Sequence, residues 1–248
     1  MNISLFQLVN LLLALILTLL MIKYVWDMFY LVVFQPMDWQ RASKDGKISH
    51  GLAKSEKRFK DKVRFFTWWF QVERLKECNV EGAFAELGVY KGESAKVIHL
   101  MDPNRRFYLF DTYSGFIPED LKGETGEAAT YTESNFSDTD LEKVVSYIGG
   151  NDNLRFVQGR FQDTCKEADN EVFALVNLDA DLYHPTIDAL HFFYLRLSPG
   201  GAIFIHDYNY KWAGIKKAVD EFAATIPEPL IKVADTQGTI LIVKSAKK

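Results

Sequence analysis

The chain has 248 residues, 48% hydrophobic, 25% charged and 14% aromatic, with a formal net charge of −4. These proportions exclude a disordered or low-complexity scaffold and allow one large domain or two small ones. The charge is unevenly spread: residues 1–80 hold 12 Lys and Arg against 7 Asp and Glu, whereas residues 81–248 hold 17 against 26. An acidic body argues against nucleic acid as the principal ligand, because neutralising phosphates takes clustered Lys and Arg. Cys78 and Cys165 are the only cysteines, too few for a disulfide framework or a thiolate zinc site, and they fit a reducing compartment.

Met1 to Ile22 carries no charged side chain. At ~1.5 Å per residue such a helix spans about 33 Å, enough for a ~30 Å hydrocarbon core. Lys23 and Asp27 interrupt the apolar run at a spacing that lets them pair, and YLVVF (30–34) continues it to Pro36. Tyr24, Trp26 and Tyr30 suit a membrane interface. Neither the basic start nor the small-residue cleavage site of a signal peptide is present, so residues 1–36 read as a membrane anchor. Nothing basic precedes the run, while residues 41–64 carry nine Lys and Arg against three Asp and Glu. The positive-inside rule therefore predicts a single-pass protein with its body on the cytoplasmic side. Residues 37–80 read as a basic linker, able to lie on anionic headgroups, followed by a cap helix. In that helix Phe59, Val63, Phe66 and Phe70 recur at helical spacing after Ser55, a candidate N-cap. Trp68, Trp69 and Phe70 are available either for packing or for stacking on a ring.

From residue 81 to 248 apolar strands alternate with helical stretches. GAFAEL (82–87), RFYLFD (106–111), LRFVQG (154–159), FALVNLDAD (173–181) and AIFIHD (202–207) are strand-like, and 185–197 and 213–225 helix-like. Continuous apolar runs bounded by helices imply strands covered on both faces. The expected fold is thus α/β, a doubly wound, mostly parallel, Rossmann-like sheet. LIKVA (230–234), DTQG (235–238) and TILIVK (239–244) add a C-terminal antiparallel hairpin at its edge.

In such sheets ligands bind beyond the carboxyl ends of the strands, where strand order reverses. The polar residues ending the apolar runs are Glu86, Asp111, Asp179, Asp181, His206 and Asp207. Converging there, they are costly unless cations or ligands compensate. The turn ELGVYKGES (86–94) is neither a dinucleotide fingerprint nor a P-loop. Its glycines, the helix start behind it and Asp111 as a ribose acceptor suit S-adenosylmethionine, whose amino-acid end carries an ammonium for Glu86. Asp179-x-Asp181 and His206-Asp207 should lie on neighbouring strands ~5 Å apart. Carboxylates so close imply a hard divalent ion that grips a substrate hydroxyl while a nearby carboxylate removes its proton.

AELGVYKGESAKVI, FDTYSGFIPED (110–120), VQGRFQDT (157–164), NLDADLYHPTIDAL (177–190), LSPGGAIFIHDYNY (197–210) and DTQGTILI together resemble the TylF, or macrocin O-methyltransferase, family over about residues 82–244. The resemblance implies a class I S-adenosylmethionine-dependent methyltransferase acting on sugar hydroxyls. It implies a cofactor site at Glu86, Gly88, Tyr90, Gly92, Ser94, Asp111, Gly159 and Asp179. It further implies metal ligands at Asp179, His206 and Asp207, and a general base at Asp181. The implied ion is Mg²⁺, with Mn²⁺ or Fe²⁺ brought in by an imidazole where known members have an acid. The anchor, absent from antibiotic-tailoring members, points to a glycan or lipid-linked sugar as acceptor. A catechol or phenol acceptor and a tethered, non-catalytic S-adenosylmethionine-binding protein are the rival readings, and homo-oligomers are compatible with either. His50, His99 and His191 read as surface or packing residues, while Tyr183, His184 and Tyr208 are candidates for the acceptor pocket. The polar stretch 119–140 is long for a connection and reads as a lid over cofactor and acceptor.

Overall fold

A computed structural model describes residues 4–29 and 35–245. The chain falls into two compact units, Met1–Lys60 and Asp61–Lys248. The first contains helices α1 (Leu5–Phe29), α2 (Met37–Lys44) and α3 (His50–Arg58). Leu5–Met28 has a mean hydropathy of 2.6 and none of its apolar window is buried. Length and composition of this kind serve a membrane span and a signal sequence alike. Lys23 and Asp27 pair as their spacing predicts, and Tyr24 and Trp26 are exposed. Tyr30 and the rest of the 30–34 run lie outside the described residues.

The helix expected from Ser55 onward is two helices. The Ser49 hydroxyl accepts from the Leu52 N–H at 3.2 Å and caps α3, so Ser55 is interior. The backbone turns extended at Phe59, and the Asp61 carboxylate then caps α4 (Lys62–Glu77) by accepting from the Arg64 N–H at 2.9 Å. A carboxylate at that position satisfies an otherwise orphaned donor, and a second helix begins. The buried stripe of α4 is Phe65, Trp68, Trp69, Val72 and Leu75, with Phe66 beside it, whereas Val63 and Phe70 are exposed. Of the expected stripe Phe59 and Phe66 are thus buried and Val63 and Phe70 are not, and α4 lies within the second unit.

That unit is built on a seven-stranded sheet, β1 (Ala83–Leu87), β2 (Phe107–Asp111), β3 (Leu154–Gln158), β4 (Phe173–Leu178), β5 (Leu197–Ile205), β6 (Ile231–Lys232) and β7 (Ile240–Val243), in the order β3-β2-β1-β4-β5-β7-β6. Neighbours from β3 to β5 are parallel, and β7 runs antiparallel to both β5 and β6. The mixed α/β sheet expected from the sequence is present. The hairpin differs in one respect: its second arm pairs with β5 and only its two-residue first arm forms the edge. Helices α5 (Glu93–Met101), α6 (Leu141–Ile148), α7 (Phe161–Thr164), α8 (Tyr183–Arg196) and α9 (Ala213–Ala223) follow in chain order.

The strands are apolar on both sides because both sides are covered. Ala85, Leu87, Phe110, Val176, Ile203 and Ile205 pack with Phe161, Leu190, Phe193, Val219 and Phe222 in one core. On the other side α4 packs on α5 and β5. A fully buried Phe such as Phe110 or Phe193 contributes about 1.5–3 kcal/mol. The reversal of strand order falls between β1 and β4, so their carboxyl ends flank the crevice where such sheets place ligands.

Candidate active site

The ladder bonds of the sheet run out into the candidate residues. Gly88 N–H donates to Phe110 C=O at 3.0 Å, Asp179 N–H to Leu87 C=O at 2.9 Å, His206 N–H to Leu178 C=O at 2.9 Å and Gly159 N–H to Asp111 C=O at 2.9 Å. The backbone just past the ends of β1, β4 and β5, from which the candidate side chains project, is therefore fixed by the sheet itself. Tyr90, Tyr113, Asp181 and Asp207 all take positive φ values, of 50°, 53°, 61° and 60°. Non-glycine residues held there are strained, and such strain gathers where function requires it.

Glu86 is completely buried and faces Asn177 of β4, whose amide donates to Glu86 Oε1 at 2.8 Å. The Ser94 side chain also hydrogen-bonds this carboxylate, while Oε2 is buried with no partner among the described residues. Burial pushes Glu86 up to about 8, against the pull of the Ser94 and Asn177 hydrogen bonds. An ammonium placed at Oε2 would satisfy the orphaned oxygen. Asp111 is already engaged by the backbone of its own turn. Its Oδ2 accepts from Val89 N–H at 2.7 Å and Tyr90 N–H at 2.8 Å, and its Oδ1 from Tyr113 N–H at 2.6 Å. It shapes the turn, leaving only its remaining lone pairs for a ribose diol. Gly88, with φ +87°, is required by the protein's own backbone, since a Cβ there would stand 2.0 Å from the Asp179 carbonyl oxygen. Gly92 caps α5 and packs on Ile148.

Across the crevice, Asp179, His206 and Asp207 each bring one ligand atom within 4.8 Å of the others. His206 Nδ1 lies 2.9 Å from Asp179 Oδ1 and 3.2 Å from Asp207 Oδ2. His206 Nε2 and Asp207 Oδ1 are buried without partners among the described residues. Burial pulls His206 down, but the Asp179 charge and the hydrogen bonds to Asp179 and Asp207 outweigh it and lift the imidazole to about 10. Burial, then the Asp179 and Asp207 charges, push Asp181 well above the ordinary carboxylate range. Two carboxylates, one imidazole and two orphaned buried atoms fit a divalent ion that accepts oxygen and nitrogen donors.

The sequence gives no sign of Arg64. From α4 its Nη1 reaches Asp179 Oδ2 at 3.3 Å, with the guanidinium over Trp68. Asn177 was legible in principle, as the single amide inside an apolar strand. Trp68 and Trp69 are buried and cannot stack on an acceptor; Phe70 is exposed. The Tyr183 and Tyr208 hydroxyls donate to Glu221 and Asp220 at 2.6 Å each, which ties them to α9. His184 is exposed. His99 is buried, and His191 packs edge-on against Phe222.

Stretch 119–140 is well anchored. Asp120 is buried in an ion pair with Arg160, Glu124 accepts from Tyr183 N–H at the start of α8, and Glu127 N–H donates to Lys211 C=O. At its far end Thr139 Oγ1 donates to the Tyr90 carbonyl and the Tyr90 hydroxyl to Asp138. The stretch thereby joins the cofactor turn to the loop that follows Asp207. Tyr131, on that stretch, accepts from Trp212 Nε1 at 3.3 Å, and its hydroxyl feels the Asp181 and Asp207 charges.

The model of the macrocin-O-methyltransferase (TylF) family matches residues 60–241. The chain belongs to that family. Among TylF-like relatives, the 8-demethyl-8-(2,3-dimethoxy-alpha-L-rhamnosyl)-tetracenomycin-C 4'-O-methyltransferase of Streptomyces olivaceus is 33% identical over 149 residues, 55% of this chain and 57% of that protein. Mycinamicin III 3''-O-methyltransferase of Micromonospora griseorubida is 32% identical over 184 residues, 67% of this chain and 70% of that one. The match thus spans little more than half the length of the Streptomyces relative. Among solved structures the O-methyltransferase NovP superposes with a TM-score of 0.65 at 25% identity, covering 75% of this chain and 81% of its own. The TylF match begins at residue 60, so α1, α2 and α3 lie outside it.

Proposed function

We propose that the protein is a metal-dependent O-methyltransferase that moves a methyl group from S-adenosylmethionine to a hydroxyl of a sugar-containing acceptor, held at a membrane by α1 with its catalytic unit on the cytoplasmic side. The observation that carries this is the meeting of Asp179, Asp181, His206 and Asp207 at the ends of β4 and β5, beside the Glu86 turn at the end of β1. Membership of the TylF family and sugar-modifying relatives support the acceptor class.

When bound, the cofactor supplies a methyl group on a sulfonium, and the ion supplies positive charge that lowers the pKa of an acceptor hydroxyl. Asp179, His206 and Asp207 are the residues that would hold the ion, and Glu86, Gly88, Tyr90, Gly92, Ser94, Asp111 and Gly159 those that would hold or shape the cofactor site, with Asp179 at its border. Asp181 takes the acceptor proton on its carboxylate. Burial and the Asp179 and Asp207 carboxylates raise its pKa, which makes it a stronger base once ionised, and a bound cation nearby would favour the ionised form. Stretch 119–140 closes over both substrates and excludes water.

The test is transfer of label from [methyl-³H]S-adenosylmethionine, by the full-length protein in detergent, to membrane glycolipid and glycan fractions. Label in sugar-containing products, abolished by EDTA and restored by Mg²⁺ or Mn²⁺, is expected. Labelling of catechols alone, or transfer indifferent to chelation, defeats the acceptor and the metal assignments respectively.

A further inference from the structure

Asp179 is the one proposed ion ligand that is shared with a permanent cation. Its Oδ1 faces His206 Nδ1 at 2.9 Å, and its Oδ2 faces Arg64 Nη1 at 3.3 Å. A guanidinium stays charged at any working pH, so this pairing does not depend on protonation. Strong charge-assisted bonds of this kind measure about 2.7–2.9 Å, so the Arg64 contact at 3.3 Å is longer than the strongest of them. Its placement, however, is set by structure. Asp61 Oδ1 caps the first turn of α4 at Arg64 N–H, and Asp61 Oδ2 accepts from Thr236 N–H at 3.2 Å and Thr236 Oγ1 at 2.9 Å. Two residues further on, the Gly238 carbonyl accepts from Tyr208 N–H at 2.8 Å. The start of α4 is thereby clipped to the segment that follows His206 and Asp207. Arg64 also lies near enough for its charge to act on Glu86 as well as Asp179. Its charge therefore reaches one side chain assigned to the cofactor and one assigned to the ion.

We propose that Arg64 is a resident counter-cation for Asp179: it competes with the divalent ion for that carboxylate in the cofactor-free protein and leaves it when the carboxylate of the cofactor's amino-acid end arrives, so that cofactor and ion bind with positive coupling. The inference rests on the metal and cofactor reading above and adds a residue and an order to it. One cation on Asp179 opposes a second, and a new anion offers the guanidinium another partner. Coupling between two ligands is reciprocal, and values of about 5- to 150-fold are usual.

The test is calorimetric titration of the full-length protein in detergent with Mn²⁺, alone and with saturating S-adenosylhomocysteine, for the wild type and for Arg64→Gln and Arg64→Lys. In the wild type S-adenosylhomocysteine should tighten Mn²⁺ binding about tenfold, within the usual range of coupling. In Arg64→Gln, Mn²⁺ alone should bind more tightly than in the wild type, and the coupling should collapse to about twofold or less. Arg64→Lys retains the charge and should keep part of the coupling, which guards against misreading a poorly folded Gln variant. Mn²⁺ affinity that is unchanged or weaker in Arg64→Gln, with a melting curve like the wild type's, overturns the proposal and leaves the metal reading intact. Absence of Mn²⁺ binding in every protein, with or without S-adenosylhomocysteine, removes the metal reading and this inference with it.

Discussion

Asp181 combines a left-handed backbone with burial and two carboxylate neighbours, Asp179 and Asp207, all of which raise its pKa. Replacing it with Asn preserves shape and removes basicity. Asp181→Asn should lower kcat by about 10²- to 10⁴-fold while S-adenosylhomocysteine affinity stays within a few-fold; full activity would falsify the assignment of the base. Glu86 makes a second prediction, this time about stability. Its pKa is raised from 4.5 to about 8 by burial, so the unfolded chain gives up its proton before the folded one does. The protonated carboxyl's contribution is complete below about pH 4.5 and is lost as pH rises to about 8. Glu86→Gln stays neutral throughout. Its melting temperature should therefore gain on the wild type between pH 5 and pH 8, by a few degrees, while its affinity for S-adenosylhomocysteine falls. A constant difference across that range would show that Glu86 is ionised in the folded protein.

At the scale of elements, the site is the place where five parallel strands end and their ladder bonds continue for one more residue. Gly88 lets two of those ends close on each other, because the Asp179 carbonyl occupies the space a Cβ would need. Gly88→Ala must push β1 and β4 apart while also straining a φ of +87°. A loss of about 3 kcal/mol or more is expected in urea unfolding, with weakened Mn²⁺ binding, since Asp179 would move. A variant of near wild-type stability and metal affinity would mean that the turn relaxes without moving β4. The same element-level logic explains the misplaced helix. Hydrophobic spacing alone ran Phe59 into Val63 and Phe66, but Asp61, capping α4 and bonded to Thr236, starts a new helix whose buried face is rotated.

For the whole molecule, the charge distribution and α1 make a prediction about location. The full-length protein should sediment with membranes and resist carbonate extraction, and protease added to the cytoplasmic side should reach the second unit. Release by carbonate, or removal of the N-terminal residues during maturation, would reassign α1 as a peripheral or signal segment. The alternation of strand and helix, the parallel sheet and the polar residues at its strand ends were readable from the chain. Uninterrupted apolar runs such as FALVNL leave no other way to bury both faces, and a ligand edge must then lie where the acids begin. Asp179, Asp181, His206 and Asp207 came together as their spacing requires. The sequence did not reveal that Asp111 would also accept from the turn's own N–H groups, or that Trp68 and Trp69 would be interior.

Local order of residues thus determined which strands form, which side chains end them and how polar that end must be, because periodicity and burial act over a few positions at a time. Only the tertiary structure decided that Arg64, 115 positions before Asp179 in the chain, would share a carboxylate with it. Such a contact depends on how a helix start is pinned to a distant turn, and nothing in the neighbouring sequence encodes that distance.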